Sequence, residues 1–279
     1  MPVFLFALSQ SFHIQRFEAL LTFILLHLII YPSSNAYNSY HDQDQNSIGG
    51  LKKPPAINKK VLLLANILDF FALSVSIFLG LEFFLLVLAY ISASRLYSNR
   101  KIRLKKYPYI GFIVIFFFQG AFTYYLASVG IGQYWGSQTS SLGWKSYTSF
   151  FNHHSFALLA CSFQIGAIYP LTQIYQHRSD FTDNVTTISY KLGYIGTFIF
   201  SGMMFSLATL FYYFHFKDSD IYSFYILIIV QLPIISYFLY WFSLVLKDTV
   251  NANYKHTMRM STISAVVLNL FFLYLVINK

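Results

Sequence analysis

The sequence predicts an all-α, polytopic bundle of membrane-spanning helices. Three observations carry that expectation. Of 279 residues, 56% are hydrophobic, 20% aromatic and only 10% charged, whereas a soluble domain carries about 25% charged residues to cover its surface. The apolar residues fall in runs of membrane-crossing length, and the basic residues collect in every second loop. Apolar content this high also excludes a disordered chain. The lone cysteine, Cys161, rules out an internal disulfide framework.

A spanning helix needs about 20 mostly apolar residues. Runs of that kind occur near 17–34, 61–79, 81–95, 109–128, 151–175, 190–214, 222–246 and 261–278. The second and third are separated only by Gly80 and its neighbours, which predicts a tight helical hairpin. Ahead of the first run, Pro2 to Leu8 is apolar but too short to cross. It lacks a basic flank and a small-residue cleavage site, so it does not read as a signal peptide. It reads as the last turns of a helix, expected to pack as a stub beside an apolar gap. No linker marks a second domain, so residues 1–279 are expected to form one integral membrane unit.

Placing the loops on alternating sides sorts the charge. One side receives Lys52, Lys53, Lys59 and Lys60, then the basic run from Arg95 to Lys106, then Arg178 and Lys191, and finally Lys247, Lys255 and Arg259. That is fifteen of the nineteen basic residues; Arg16, Lys145, Lys217 and Lys279 fall on the other side. The asymmetry makes the first side cytoplasmic, and the plasma (inner) membrane is the expected location. The net charge of +9 is therefore loop charge, and no nucleic-acid partner is expected. Trp135 and Trp144 belong to the opposite interface. Asn184-Val185-Thr186 has the form of a glycosylation sequon but falls on the cytoplasmic side.

Polar residues on the cytoplasmic side form three clusters. If the first spanning helix persists, Asn35, Asn38 and Asp42 lie at i, i+3 and i+7, one stripe on one face. Carboxylate and amide oxygens at this spacing suit a hard divalent cation such as Mg²⁺, which takes oxygen ligands and shares them with phosphates. A polar helix end entering water gives the same pattern, so spacing alone does not choose. Gln173, Gln176 and Asp180 repeat the spacing after another apolar run, with His177 and Asp183 nearby. Two oxygen-rich stripes facing one compartment could clamp a metal-bound diphosphate. The third cluster, Arg95 to Lys106, holds six positive charges in twelve residues. It suits a polyanion, and it is also what a cytoplasmic loop looks like. Tyr97 and Ser98 add hydrogen-bonding groups for phosphate oxygens. The sequence contains no Gly-x-Gly-x-x-Gly, phosphate-binding P-loop, His-Glu-x-x-His or Cys-x-x-Cys motif.

Within the spans, Asp69 and Glu82 stand out, because an intramembrane carboxylate is costly and faces a partner or a cavity. Asp69 lies mid-span and is the stronger functional candidate, while Glu82 lies near the non-cytoplasmic end. His27, Gln119, Gln164 and Gln231 read as hydrogen-bond partners between helices. His153 and His154 point about 100° apart in a helix, poor spacing for one metal, and read as interfacial.

The order of these clusters resembles the UbiA superfamily of membrane prenyltransferases over essentially the whole chain. Asn38-x-x-x-Asp42 resembles the start of that family's first Asp-rich motif. Tyr97-Ser98 with Arg103, Lys105 and Lys106 before Pro108 resembles its basic loop. Tyr175-Gln176-His177-x-x-Asp180, with Thr187 and Lys191-Leu192-Gly193, resembles its second motif. The chain departs from the pattern in places. Asn46 stands where the first motif ends in Asp, with Asp44 close by, and Val185 stands where the second motif has a further Asp. Arg178 and Ser179 occupy often-acidic positions.

The resemblance implies nine helices around a cavity that opens on the diphosphate side, here eight full spans plus the stub. It implies Asp42 and Asp180 as catalytic acids, and Asn38, Asp42, Asp44, Asp180 and Asp183 as Mg²⁺ ligands. Tyr97, Arg103, Lys105 and Lys106 would hold the diphosphate. The implied activity moves an isoprenoid chain from a polyprenyl diphosphate donor to a hydrophobic, lipid-soluble acceptor, expected to be aromatic. The alternative is a homologue that binds an isoprenoid or quinone without turnover, as the loss of an acid at 185 suggests. A small transporter using Asp69 in a proton path is a third reading. All three clusters should meet around one cavity, with the two acidic ones, residues 35–44 and 173–187, within about 20 Å of each other, little over half of a ~30 Å bilayer core.

Overall fold

The structure, a computed structural model, describes residues 1–43, 47–48, 50–55, 57–132 and 144–279, with only the backbone of 144–147. Asp44, Asn46 and Trp135, and the side chains of Trp144 and Lys145, lie outside the described residues.

Helix α1 spans Pro2–Gln10, with proline at the first helical position, where its missing N–H is no loss. Eight helices long and apolar enough to cross a membrane follow: α2 (Arg16–Asp42), α3 (Lys59–Leu79), α4 (Leu81–Ser98), α5 (Pro108–Gly130), α6 (Thr148–Thr182), α7 (Ile188–Phe216), α8 (Ile221–Lys247) and α9 (Tyr254–Ile277). Each corresponds to one apolar run of the sequence. Side chains such as Phe70, Phe78 and Ile229 stand exposed on the outer faces, where only a bilayer makes a large apolar residue stable. The α3–α4 hairpin turns at Gly80 with φ +102°, a backbone conformation costly for any residue with a Cβ.

The short apolar stub is fully integrated. Phe6 is completely buried, edge-on to Tyr212, stacked on Phe272 at 4.8 Å, and tilted against Tyr124 at 5.3 Å. It thus ties α1 to α5, α7 and α9. At the far end of α1, Gln10 meets His215 at 2.8 Å.

Two helices bend where they line the interior. In α5 the turn over Phe117–Phe122 is π-helical and Gly120 leaves helical geometry at φ −96°, ψ −106°. Only glycine fits there, because a Cβ would lie 2.4 Å from the Ser162 Cα. The freed Ala121 N–H is satisfied by the Ser162 hydroxyl at 2.9 Å. In α7, Gly193 takes φ +68°. The helices enclose a cavity of about 1150 Å³, whose wall runs from Val3 and Phe4 on α1 to Asn35 and Asn38 on α2.

Candidate functional site

Helix α2 stays helical to Asp42 and stops because Gln43 turns left-handed at φ 55°. The predicted stripe therefore exists, with Asn35 and Asn38 on the cavity wall and Asp42 one turn beyond. Arg100 closes this helix end by donating to the His41 carbonyl at 2.5 Å and the Asp42 carbonyl at 3.4 Å, which complements the helix dipole.

The basic loop leaves α4 at Ser98 and reverses at Arg103, itself left-handed at φ 49°. That reversal turns two of its cations inward. Lys105 pairs with Asp42 and lies 3.5 Å from the Asn38 amide oxygen. The Ser98 hydroxyl donates to that same oxygen at 2.8 Å. Arg103 lies 3.6 Å from Asp42 and pairs directly with Asp183. One guanidinium thus joins the first acidic stripe to the segment after α6. The two acidic clusters thus meet well inside the 20 Å limit, since one Arg103 nitrogen contacts both Asp42 and Asp183.

The second stripe is not one continuous helical face. A 3₁₀ turn over Ile174–Gln176 interrupts α6 after Pro170, so the i, i+3, i+7 register read from the sequence is lost. Gln173 turns back to donate to the Tyr169 hydroxyl at 2.7 Å. His177 is buried and meets the Ser189 hydroxyl at 2.8 Å. Asp180 accepts from Thr187 at 2.9 Å, and Thr187 also caps α7. The chain then turns left-handed at Asn184, φ 52°, which presents Asp183 to Arg103 and buries Val185, 4% exposed. Asp183 meets the basic loop without any shift of its own loop.

The remaining basic residues of the run act elsewhere. Lys106 is exposed, 5.4 Å over the Tyr107 ring. Arg95 points into the bundle and pairs with Asp69, which also accepts from Ser33 at 2.5 Å. The same guanidinium sits 3.9 Å over Tyr37. Arg95 is therefore no part of a polyanion loop, and Asp69 is a neutralised partner and not a lone carboxylate on a proton path. A signal for this pair was present: across the Gly80 turn the two lie at comparable depths on neighbouring helices. Tyr97 hydrogen-bonds Tyr169 where the charged face gives way to the cavity. Tyr169 carried no sequence signal, since one tyrosine in an aromatic-rich span looks like packing. Among the polar residues within the spans, Glu82 accepts from Tyr125, Gln164 from Tyr212, and Gln231 lies 3.5 Å from Thr209. Gln119 lines the cavity. His154 is buried against Tyr124 at 2.8 Å, which corrects its reading as interfacial.

The geometry is that of a charged mouth over a long apolar chamber. The model of the UbiA prenyltransferase family matches residues 1–263. The chain belongs to the UbiA prenyltransferase family. Two solved structures share the fold. A digeranylgeranylglyceryl phosphate synthase is 16% identical, with a TM-score of 0.59 over 99% of this chain and 90% of that one. A UbiA homologue from Archaeoglobus fulgidus, bound to Cd²⁺, is 14% identical, with a TM-score of 0.58 over 98% and 94%. No curated protein matches the sequence. Eight apolar helices and the UbiA family together make this an integral membrane protein. Its family fold is one that supports isoprenoid transfer to a lipid acceptor.

A divalent cation is part of that family picture, and the donor set can be judged against it. Among the described residues, no three His, Cys, Asp or Glu side chains stand together as a metal cluster. What does stand together is the Asp42 carboxylate and the Asn38 amide oxygen, with the Asp183 carboxylate reached through Arg103. All are hard oxygen donors, the class a divalent cation takes, and here they are paired with Lys105 and Arg103.

Proposed function

We propose that the protein transfers an isoprenoid chain from a polyprenyl diphosphate to a lipid-soluble, aromatic acceptor with Mg²⁺. The observation that carries this is the Asp42–Arg103–Asp183 bridge beside a largely apolar cavity of about 1150 Å³. Asn38, Asp42 and Asp183 would hold the metal ion, with Asp180 and Asp44 as further oxygen donors. When bound, Mg²⁺ supplies positive charge to the diphosphate leaving group.

The chain's own residues do the rest. Arg103 and Lys105 turn from the carboxylates to phosphate oxygens, and Tyr97 donates from the cavity rim. Lys106 adds positive potential from the surface. The tail lies against the aromatic wall, which excludes water. The allylic C–O bond breaks with its electron pair leaving on diphosphate. The acceptor carbon forms the new C–C bond, and its proton passes to solvent. The same reading puts the site on the cytoplasmic side of the plasma (inner) membrane. The concentration of basic residues in the loops of that side supports it.

A second reading, binding of an isoprenoid or quinone without turnover, is favoured by the burial of Val185 where a further acid would stand. One experiment separates the two. Purified protein is incubated with geranylgeranyl diphosphate, with and without Mg²⁺, and released diphosphate is measured. The transfer reading expects Mg²⁺-dependent release that Asp42→Asn reduces to background. Wild-type release untouched by Asp42→Asn sinks the metal-clamp reading, and donor binding without any release establishes the binder.

A further inference from the structure

The described residues that line the central cavity include no Asp, Glu, Lys, Arg or His side chain. All the charge described above stands outside it, at the mouth. Yet the wall is not uniformly apolar. Ser201 on α7 and Ser261 on α9 both line the cavity, and both hydroxyl oxygens are buried without a hydrogen-bond partner. Other hydroxyls on the same wall turn back onto their own helix. Ser206 bonds the Gly202 carbonyl at 3.0 Å, Thr209 that of Phe205 at 3.0 Å, and Thr172 that of Tyr169 at 2.7 Å. Such back-bonding is the ordinary resting place of a helical hydroxyl, and Ser201 and Ser261 decline it. A buried hydroxyl left unmatched is unfavourable, and a hydrocarbon tail offers it nothing.

Their depths agree. Phe198 on α7 packs on Trp241 of α8 at 4.8 Å, and Trp241 stacks on His256 of α9 at 6.1 Å, so Ser201 and Ser261, each about a turn further along its helix, stand at similar depth. Ser261, with Thr172 and Ala265, also borders a smaller recess of about 450 Å³, whose other described walls include Tyr175, Gln176 and Thr262. No charged side chain is among its described walls either. The nearby cation of α9, Arg259, is directed at Tyr237 on α8.

We propose that Ser201 and Ser261 form the polar part of an acceptor subsite, which selects an uncharged molecule carrying a hydroxyl or carbonyl oxygen on an apolar body. The assignment rests on the prenyl-transfer reading of the cavity. A carboxylate or phosphate head would lose its water here and meet no charged side chain of the wall, which disfavours it strongly. A phenol or quinone oxygen loses little water and can accept from an unpaired hydroxyl.

The test uses two probes of equal size and opposite charge state, 4-hexylphenol and 4-hexylbenzoate, titrated into the purified full chain in detergent by calorimetry. Geranyl diphosphate is titrated in parallel as a reporter of the mouth. The phenol should bind at least about tenfold more tightly than the benzoate, and Ser201→Ala/Ser261→Ala should weaken the phenol by about tenfold, the loss of one to two neutral hydrogen bonds. Ser201→Thr, which keeps the hydroxyl, should bind the phenol nearly as wild type does. Geranyl diphosphate should bind all these proteins equally. Equal affinity for the two probes, no phenol binding, or a double variant indistinguishable from wild type overturns the proposal; the last would leave the hydroxyls to trapped water. If the double variant also loses geranyl diphosphate, the comparison passes to Ser261→Ala alone, with the same criteria. Failure of geranyl diphosphate to bind wild type, with the phenol result intact, removes the prenyl-transfer reading and leaves the neutral-oxygen site standing.

Discussion

Replacing Asp69 by leucine removes one half of an ion pair held inside the bundle. The Asp69 and Arg95 side chains retain only 12% and 17% of their exposure. One guanidinium nitrogen of Arg95, Nη1, already lacks a partner, so without Asp69 the cation keeps only the Ser33 hydroxyl at 3.0 Å and the face of Tyr37. Breaking a buried pair by removing one partner costs about 3–5 kcal/mol, because the other charge is stranded. Residual exposure places this site near the lower end, about 3 kcal/mol. The double change Asp69→Leu/Arg95→Met strands nothing. It forfeits the contact with Tyr37, worth about 1 kcal/mol, and otherwise exchanges charge for packing. A coupling of about 2 kcal/mol should therefore separate the double variant from the sum of the singles. The assay is reversible unfolding in mixed micelles of increasing SDS fraction, followed by fluorescence of Trp241, which is fully buried. A single variant that loses less than about 1 kcal/mol, or a double variant as damaged as the singles combined, would refute the argument.

Three further outcomes follow from the same geometry. Val185→Asp, which the family pattern would offer as a restored ligand, should destabilise the protein by about 1–3 kcal/mol and leave diphosphate release no faster, because the side chain at 185 is buried; a rise in Mg²⁺-dependent rate is the contrary result. Asp183→Asn should weaken Mg²⁺ dependence in the release assay with little change in stability, since this half-exposed pair contributes at most about 1 kcal/mol; unaltered Mg²⁺ titration curves would exclude Asp183 from the site. Gly120→Ala drives a Cβ into the Ser162 backbone at 2.4 Å and should cost about 2 kcal/mol or more, seen as a lower SDS midpoint, whereas Gly196→Ala, whose nearest neighbour is the Leu192 Cβ at 3.4 Å, should be nearly silent.

The spans were legible because hydropathy over twenty residues is a strong, local signal. Each of the eight runs became a helix, and the Gly80 turn fell where the apolar run was interrupted. The first stripe was legible for the same reason: Asn35, Asn38 and Asp42 stay on one uninterrupted helix. The second was misread in register because the turn at Ile174–Gln176 depends on tertiary packing around Pro170. Asp183 is brought to Arg103 by a left-handed turn at Asn184, which carries no sequence signature beyond asparagine's tolerance for that conformation. Arg95 was counted with its loop because composition cannot say which way a cation at a helix end points. Only the partner at 69 decides that.

The tightness of the Gly80 turn has a consequence for how the chain is made. Helices α3 and α4 are joined by a single residue, so neither can be threaded into the bilayer and left while the other waits outside. Entering alone, α3 would carry the unpaired Asp69, a penalty of about 2.5–3.5 kcal/mol at mid-membrane on insertion scales. Entering as one hairpin, α3 and α4 bring Asp69 in already paired with Arg95. The residues that hold the bundle together in the finished protein thus also fix the unit in which the nascent chain leaves the translocation machinery, and the hairpin from Lys59 to Ser98 is the smallest piece that can do so.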